Sequence, residues 1–333
     1  MNSFAPLVSI VIPVYNGANY LAEAIDSALA QTYSNIEVLV INDGSKDNEA
    51  TRNIALSYGN QIRYFEKENG GVATALNLGI AEMKGEYFSW LSHDDKYFPQ
   101  KIETQIKFLT HLSDKEIVLY SDIEYIDKNS HLLSQLRFPN YPAEKFRPAF
   151  IKGGLINGCT LLVPKICFEK YGLFDISLRT TQDYDLWFRF SETFDFFHQP
   201  EILIQSRLHE NQDTVKLQDT AYEERDRLQL HFIKNVTKEE IELFSEGNAA
   251  GYYIKFAYMM EFSMLLKAEK YTIQKAIQNI LRPGLLPIFR NILKLILLIV
   301  IMSFRKVFVL FFGFNSYQKF KQMIWNYRLK LLH

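Results

Sequence analysis

The sequence predicts an α/β fold, a doubly wound and mostly parallel sheet followed by a helical C-terminal region. Three observations carry this. Short apolar runs begin at Val8, Ile36, Ile62 and Tyr87, segments of helical period separate them, and from about residue 214 the pattern turns helical. Strands alternating with helices imply βαβ units with right-handed crossovers. The 333 residues correspond to roughly two domains at about 150 residues each. We expect an α/β domain over 1–213, a helical subdomain over 214–281 and an apolar, basic tail over 282–333.

The first run, VSIVIP, follows no basic segment and is bounded by Pro6 and Pro13, so it reads as a strand and not as a signal peptide. A helix is expected over 19–31, the second strand in IEVLVIND, the third in IRYFE, a helix over 72–83 and the fourth strand in YFSWLS. Ligands of such sheets bind beyond the carboxyl ends of the strands, which points to residues 15–17, 42–45, 68–71 and 92–95. The stretch 117–209 mixes strands with aromatic loops and holds a helical candidate over 183–193. The stretch 214–275 is helical with little that specifies chemistry.

Apolar residues make up 48%, charged residues 23% and aromatic residues 14%, which is globular composition and excludes a disordered or low-complexity chain. Two cysteines, Cys159 and Cys167, are too few for a disulfide framework and read as buried apolar residues of a reducing compartment. The net charge of -1 conceals an asymmetry. After Glu269 there is no Asp or Glu, while eleven of the 37 basic residues lie there, so the first 269 residues carry -12 and the rest +11. Because that basic block is interleaved with the most apolar stretch, it favours an anionic membrane surface over nucleic acid. The run 295–304 is shorter than the ~20 residues that span a bilayer as a helix. It is expected to lie on the membrane, with Arg290, Lys294 and Arg305 in one narrow stripe.

Four clusters bear chemistry. Asn42-Asp43-Gly44-Ser45 follows the second strand, where a carboxylate accepts from a nucleobase edge or simply forms a turn. Leu91-Ser92-His93-Asp94-Asp95 puts two carboxylates side by side on a loop, a costly choice for stability and a reasonable one for holding a divalent cation. In Gln182-Asp183-Tyr184-Asp185-Leu186-Trp187 the two acids lie about 200° apart on a helix, so one caps it and the other faces the cleft. Arg207 and His209 share a side of an extended segment.

Together with Val11-Ile12-Pro13-Val14-Tyr15-Asn16 and Asn69-Gly70-Gly71, followed by Asn77 and Gly79, these clusters resemble the ordered motifs of the family 2 glycosyltransferases, with their type A nucleotide-diphospho-sugar transferase fold, over about the first 210 residues. The resemblance implies that Pro13, Tyr15 and Asp43 contact the base, usually uracil, and that Asn16 and the loop carrying Asn69 and Gly71 line the donor site. It implies that Asp94 binds Mn2+ or Mg2+ on the donor diphosphate, that His209 joins it on the metal, that Arg207 meets the diphosphate, and that Asp183 is the catalytic base. Ser92 stands where the family usually has the first Asp of its DXD motif, and Gln182 where Glu commonly precedes the base. The expected reaction is inverting, metal-dependent transfer from a nucleotide-sugar donor, UDP-linked, to a glycan or lipid-linked glycan at the cytoplasmic, inner face of the cell membrane. Two rivals share the fold: a sugar nucleotidyltransferase, disfavoured because residues 15–19 hold no Lys or Arg, and a nucleotide- or glycan-binding protein without turnover, suggested by Ser92.

Overall fold

The structure is a computed structural model and describes residues 4–210, 212, 216–263 and 265–280, with 292, 295, 296, 298–300, 302, 303 and 305 beyond them. Contacts divide the chain into two compact units, Met1–Glu224 and Arg225–His333.

The first unit runs β1 (Val8–Val14), α1 (Leu21–Leu29), β2 (Ile36–Asn42), α2 (Ala50–Ser57), β3 (Arg63–Glu66), α3 (Val72–Glu82), β4 (Tyr87–Trp90), β5 (Lys96–Tyr97), α4 (Lys101–Thr110), β6 (Val118–Ile126), β7 (Leu132–Leu136), α5 (Ala143–Ala149), β8 (Val163–Pro164), α6 (Lys165–Tyr171), α7 (Gln182–Phe190) and β9 (Phe196–Arg207). One sheet has the order β3-β2-β1-β4-β8, parallel except for β8. The four apolar runs are its four parallel strands, and β1 at its centre is buried throughout, as a strand covered on both faces must be. Pro13 is tolerated in this central strand for a local reason. Val11 bonds toward β4, accepting the Leu91 N–H at 3.0 Å, so Pro13 two residues on faces the same side, past the last β4 pair at Trp90.

A second sheet, of order β5-β9-β6-β7, is absent from the sequence reading. Its parallel pair β6 and β9 places Val118 opposite Phe196 and Ile126 opposite Arg207. A face of aromatic side chains covers it, including Phe146 stacked on Phe196 at 4.6 Å and Phe150 edge-on to Phe188 at 5.8 Å. Both cysteines are buried and unpaired, and burial pushes each thiol's pKa up.

The unit boundary falls within α8 (Gln218–Asn235), after which come α9 (Lys238–Ser245), α10 (Ala249–Ser263) and α11 (Leu266–Ile280). Thr237 and Glu240 close a reciprocal capping box at the start of α9. The Asp226 carboxylate accepts the N–H groups of Lys267 and Ala268 and so caps α11. Of the tail, Arg290, Lys294 and most of 282–333 lie outside the described residues. Leu298 is buried, whereas Ile292, Ile296, Ile299 and Val300 are exposed. Arg305 corrects the expected basic stripe: its guanidinium is buried, 2.9 Å from the Glu269 carboxylate. Glu269 is itself buried and is the last acid in the chain, so the charge at 305 is drawn inward to a carboxylate that needs it. Among the described residues no helix is long and apolar enough to cross a membrane.

Candidate active site

The strand ends of the first sheet deliver the expected residues to one rim. Tyr15 is exposed just past β1. Asn16, with a left-handed backbone at φ 50°, donates its N–H to Ser45 Oγ and accepts the Lys46 N–H on Oδ1, which ties the ends of β1 and β2 together. Asp43 is buried, and its carboxylate gathers the loop behind β3. It accepts from Lys67 Nζ at 2.6 Å, Asn69 Nδ2 at 3.1 Å, Gly70 N at 3.1 Å and Gly71 N at 2.7 Å. Gly71, at φ 91° immediately before α3, is where that loop needs glycine. Asp43, Asn69 and Gly71 are thus brought together, and the evident work of Asp43 is to shape the loop. Pro13 lies buried within β1.

Beyond β4, Asp94 and Asp95 divide their labour. Because β5 follows them at once and pairs with β9 (Lys96 opposite Gln205), the end of β9 is held against this loop. Asp95 is buried and accepts the Arg207 N–H at 2.8 Å, and burial together with the neighbouring Asp94 carboxylate pushes its pKa up. Asp94 Oδ2 lies 2.9 Å from His209 Nε2, so the two expected metal-binding side chains converge. Ser92 Oγ sits 3.3 Å from Cys159 Sγ.

Arg207 is a correction. Expected on the diphosphate, it is fully buried, and its guanidinium is used up by the protein. Nε donates to the Asp94 carbonyl at 2.9 Å, one terminal nitrogen to the Asp127 and Lys128 carbonyls and Ser130 Oγ, and the other to Glu23 at 2.9 Å, with the plane 4.3 Å from the Tyr20 ring. Residue 207 is the last of β9, whose final two residues are buried, and its neighbours close over the side chain, so Arg207 positions the Asp94 loop.

On the other rim, α7 buries Leu186, Trp187 and Phe190 and leaves its two acids apart. Asp185 pairs with Arg189 one turn on, at 2.9 Å. Among the described residues Asp183 accepts main-chain N–H groups of its own first turn, from Tyr184 and itself, and burial pushes its pKa up to about 6 against that support. Gly158 permits this placement: a Cβ there would meet the Trp90 ring at 2.6 Å and would stand 3.6 Å from Asp183 Oδ2.

Comparison with known proteins decides the family. The model for Glycosyl transferase family 2 matches residues 9–167. A protein of Rickettsia typhi, described as an uncharacterized glycosyltransferase, is 49% identical over 274 residues, covering 80% of this chain and 85% of its own length. The chain belongs to glycosyl transferase family 2. Two solved structures share the transferase's fold: S. aureus TarS 1-349 in complex with UDP-GlcNAc (TM-score 0.58, 16% identity, 82% of this chain and 88% of that one) and the mannosyltransferase PcManGT of Pyrobaculum calidifontis in complex with GDP-Man and Mn2+ (TM-score 0.55, 14% identity, 99% and 88%).

The transferase also holds residues that sequence reasoning missed. Glu224 accepts the N–H groups of Arg179 and Thr180 and the hydroxyls of Thr180 and Thr181, at 2.7 to 3.2 Å, fixing the approach to α7. Lys101 is fully buried over the Tyr97 ring, bonded to Ser89 Oγ and the Leu161 carbonyl, and burial holds its pKa well below the usual lysine range. Neither carries a local signal. Glu224 stands among the charged residues of a helix, and Lys101 looks like any first-turn lysine.

Proposed function

We propose that this transferase inverts the sugar's anomeric centre and depends on a divalent metal, moving a sugar from a nucleoside diphosphate donor, UDP, to a hydroxyl of a glycan or lipid-linked glycan. The observation that carries this reading is Asp183, a part-buried carboxylate that pairs with no cation among the described residues and whose pKa burial raises to about 6. Such a group is ionised at neutral pH and basic enough to take the acceptor's proton as the hydroxyl oxygen attacks C1. The nucleoside diphosphate leaves with the C1–O bonding pair. One base and one in-line displacement, with no second carboxylate acting as nucleophile, give inversion.

The metal reading is supported by the convergence of Asp94 and His209, a carboxylate oxygen and an imidazole nitrogen suited to Mn2+ or Mg2+. Those residues would hold the ion, which when bound supplies positive charge beside the diphosphate. Among the described residues no group of three or more ligating side chains forms, which leaves room in the set for phosphate oxygens. The Mn2+ of PcManGT and the UDP-GlcNAc of TarS 1-349 support the same choice.

Incubation with UDP-sugars and an acceptor, with Mn2+ or with a chelator, tests the reading. NMR is expected to show a product of opposite anomeric configuration, formed only with metal. Retention, or equal rates in chelator, would overturn it. The reading includes work at the cytoplasmic face of a membrane, supported by the exposed Ile292, Ile296, Ile299 and Val300 and by the excess of basic residues after Glu269. The full chain should float with vesicles containing anionic lipid and not with zwitterionic ones, and equal flotation would count against it.

A further inference from the structure

A nucleotide sugar brings a diphosphate whose charge must be met, and with Arg207 enclosed another cation is needed. Lys67 is already engaged: it donates to Asp43, to the Glu68 carbonyl and to Thr74. Arg179 is different. Its side chain is exposed, its guanidinium has no acceptor within hydrogen-bonding distance among the described residues, and its position is nevertheless built.

Three contacts build it. Asn77 on α3 exchanges two hydrogen bonds with the main chain of Phe174, donating to its carbonyl at 2.9 Å and accepting its N–H at 3.0 Å, so the segment before α7 is pinned on α3. Glu224 then clamps residues 179–181 from the other side. The guanidinium comes to rest over Gly71, where an added Cβ would lie 2.9 Å from its nearer terminal nitrogen. Arg179 therefore lies against the loop that Asp43 gathers, and in the chain it stands four residues before Asp183.

We infer that Arg179 is a donor-contacting residue whose guanidinium takes the phosphate oxygens of the nucleoside diphosphate. This rests on the donor reading given under Proposed function. A planar fork of N–H donors matches phosphate oxygens two at a time, and the geometry keeps that fork free of internal carboxylates. Exposure alone does not single it out, since Arg225 and Arg227 are exposed too; what singles out Arg179 is the seat of its guanidinium over Gly71 and the clamp on its main chain.

Calorimetry on the full chain with Mn2+ tests this, comparing UDP, GDP and the bare nucleosides uridine and guanosine on the parent, Arg179→Ala and Arg179→Lys. Arg179→Ala is expected to weaken binding of the nucleoside diphosphate about ten- to hundredfold. It should leave nucleoside binding and the thermal midpoint unchanged, with Arg179→Lys recovering part of the loss. Diphosphate binding within twofold of the parent would overturn the inference. So would an equal loss for the nucleoside. A parent protein that binds neither UDP nor GDP would overturn the donor reading itself, and this inference with it.

Discussion

Asp43, behind β2, accepts hydrogen bonds from Lys67, Asn69, Gly70 and Gly71, whereas Asp183, in the first turn of α7, has among the described residues only main-chain N–H groups of its own turn and no cation. The same contrast separates Arg207, enclosed by carbonyls, Glu23 and Tyr20, from Arg179, with its guanidinium unbonded over Gly71. A buried charge whose bonds are all met inside the protein holds backbone in place, because removing it leaves its partners unsatisfied. A charge held in position yet left unmet is available to a substrate. Sorting the ionic groups by saturation, and not by residue type, separates the frame of this site from its chemistry.

The largest expected effect tests the unsaturated side. Asp183→Asn should lower the rate of transfer by about 10² to 10⁴ while donor affinity stays within a few-fold, because the amide keeps the shape and cannot take a proton. Steady-state kinetics and calorimetry on the same sample read both. The parent should lose activity as pH falls through about 6, where Asp183 becomes protonated, and the residual rate of the variant should lack that limb. Asp185→Asn, which removes only the pair with Arg189, should leave the rate nearly unchanged; a large loss there and not at Asp183 would reverse the two assignments.

A smaller effect, of a different kind, belongs to the saturated side. Asp43→Asn should destabilise the fold by about 1 to 3 kcal/mol, since Lys67 and the N–H groups of the loop lose a charged acceptor. Denaturant melts measure it. Unchanged stability with donor binding lost would mean that Asp43 acts mainly on the ligand, which would break the contrast.

The legibility of the molecule follows the same division. Strands β1 to β4 were readable because short runs of β-branched residues (β1, β2) or aromatic residues (β3, β4) between helical segments have few other uses. The second sheet was not, because β5 has only two residues, and β6 is buried while carrying Ser121, Asp122 and Glu124, which look like surface residues in a sequence. Asp122 is satisfied by His198 and Arg137, partners 76 and 15 residues away. Asp94, His209 and Asp183 could be named from residue types and motif order. The enclosure of Arg207 could not, since it depends on Glu23, 184 residues earlier. Nor could the clamp of Glu224 on residues 179–181, which joins a helix to a loop more than forty residues before it.

The two buried cysteines have a practical consequence. With Cys159 closed in beside Ser92 and Cys167 buried in α6, both thiols are protonated and out of reach of a bulky maleimide in the folded protein. The native chain is therefore close to silent toward thiol labelling. A single Ser177→Cys, at an exposed position two residues before Arg179, would carry a fluorophore alone and turn the approach of a nucleotide to this rim into an optical signal.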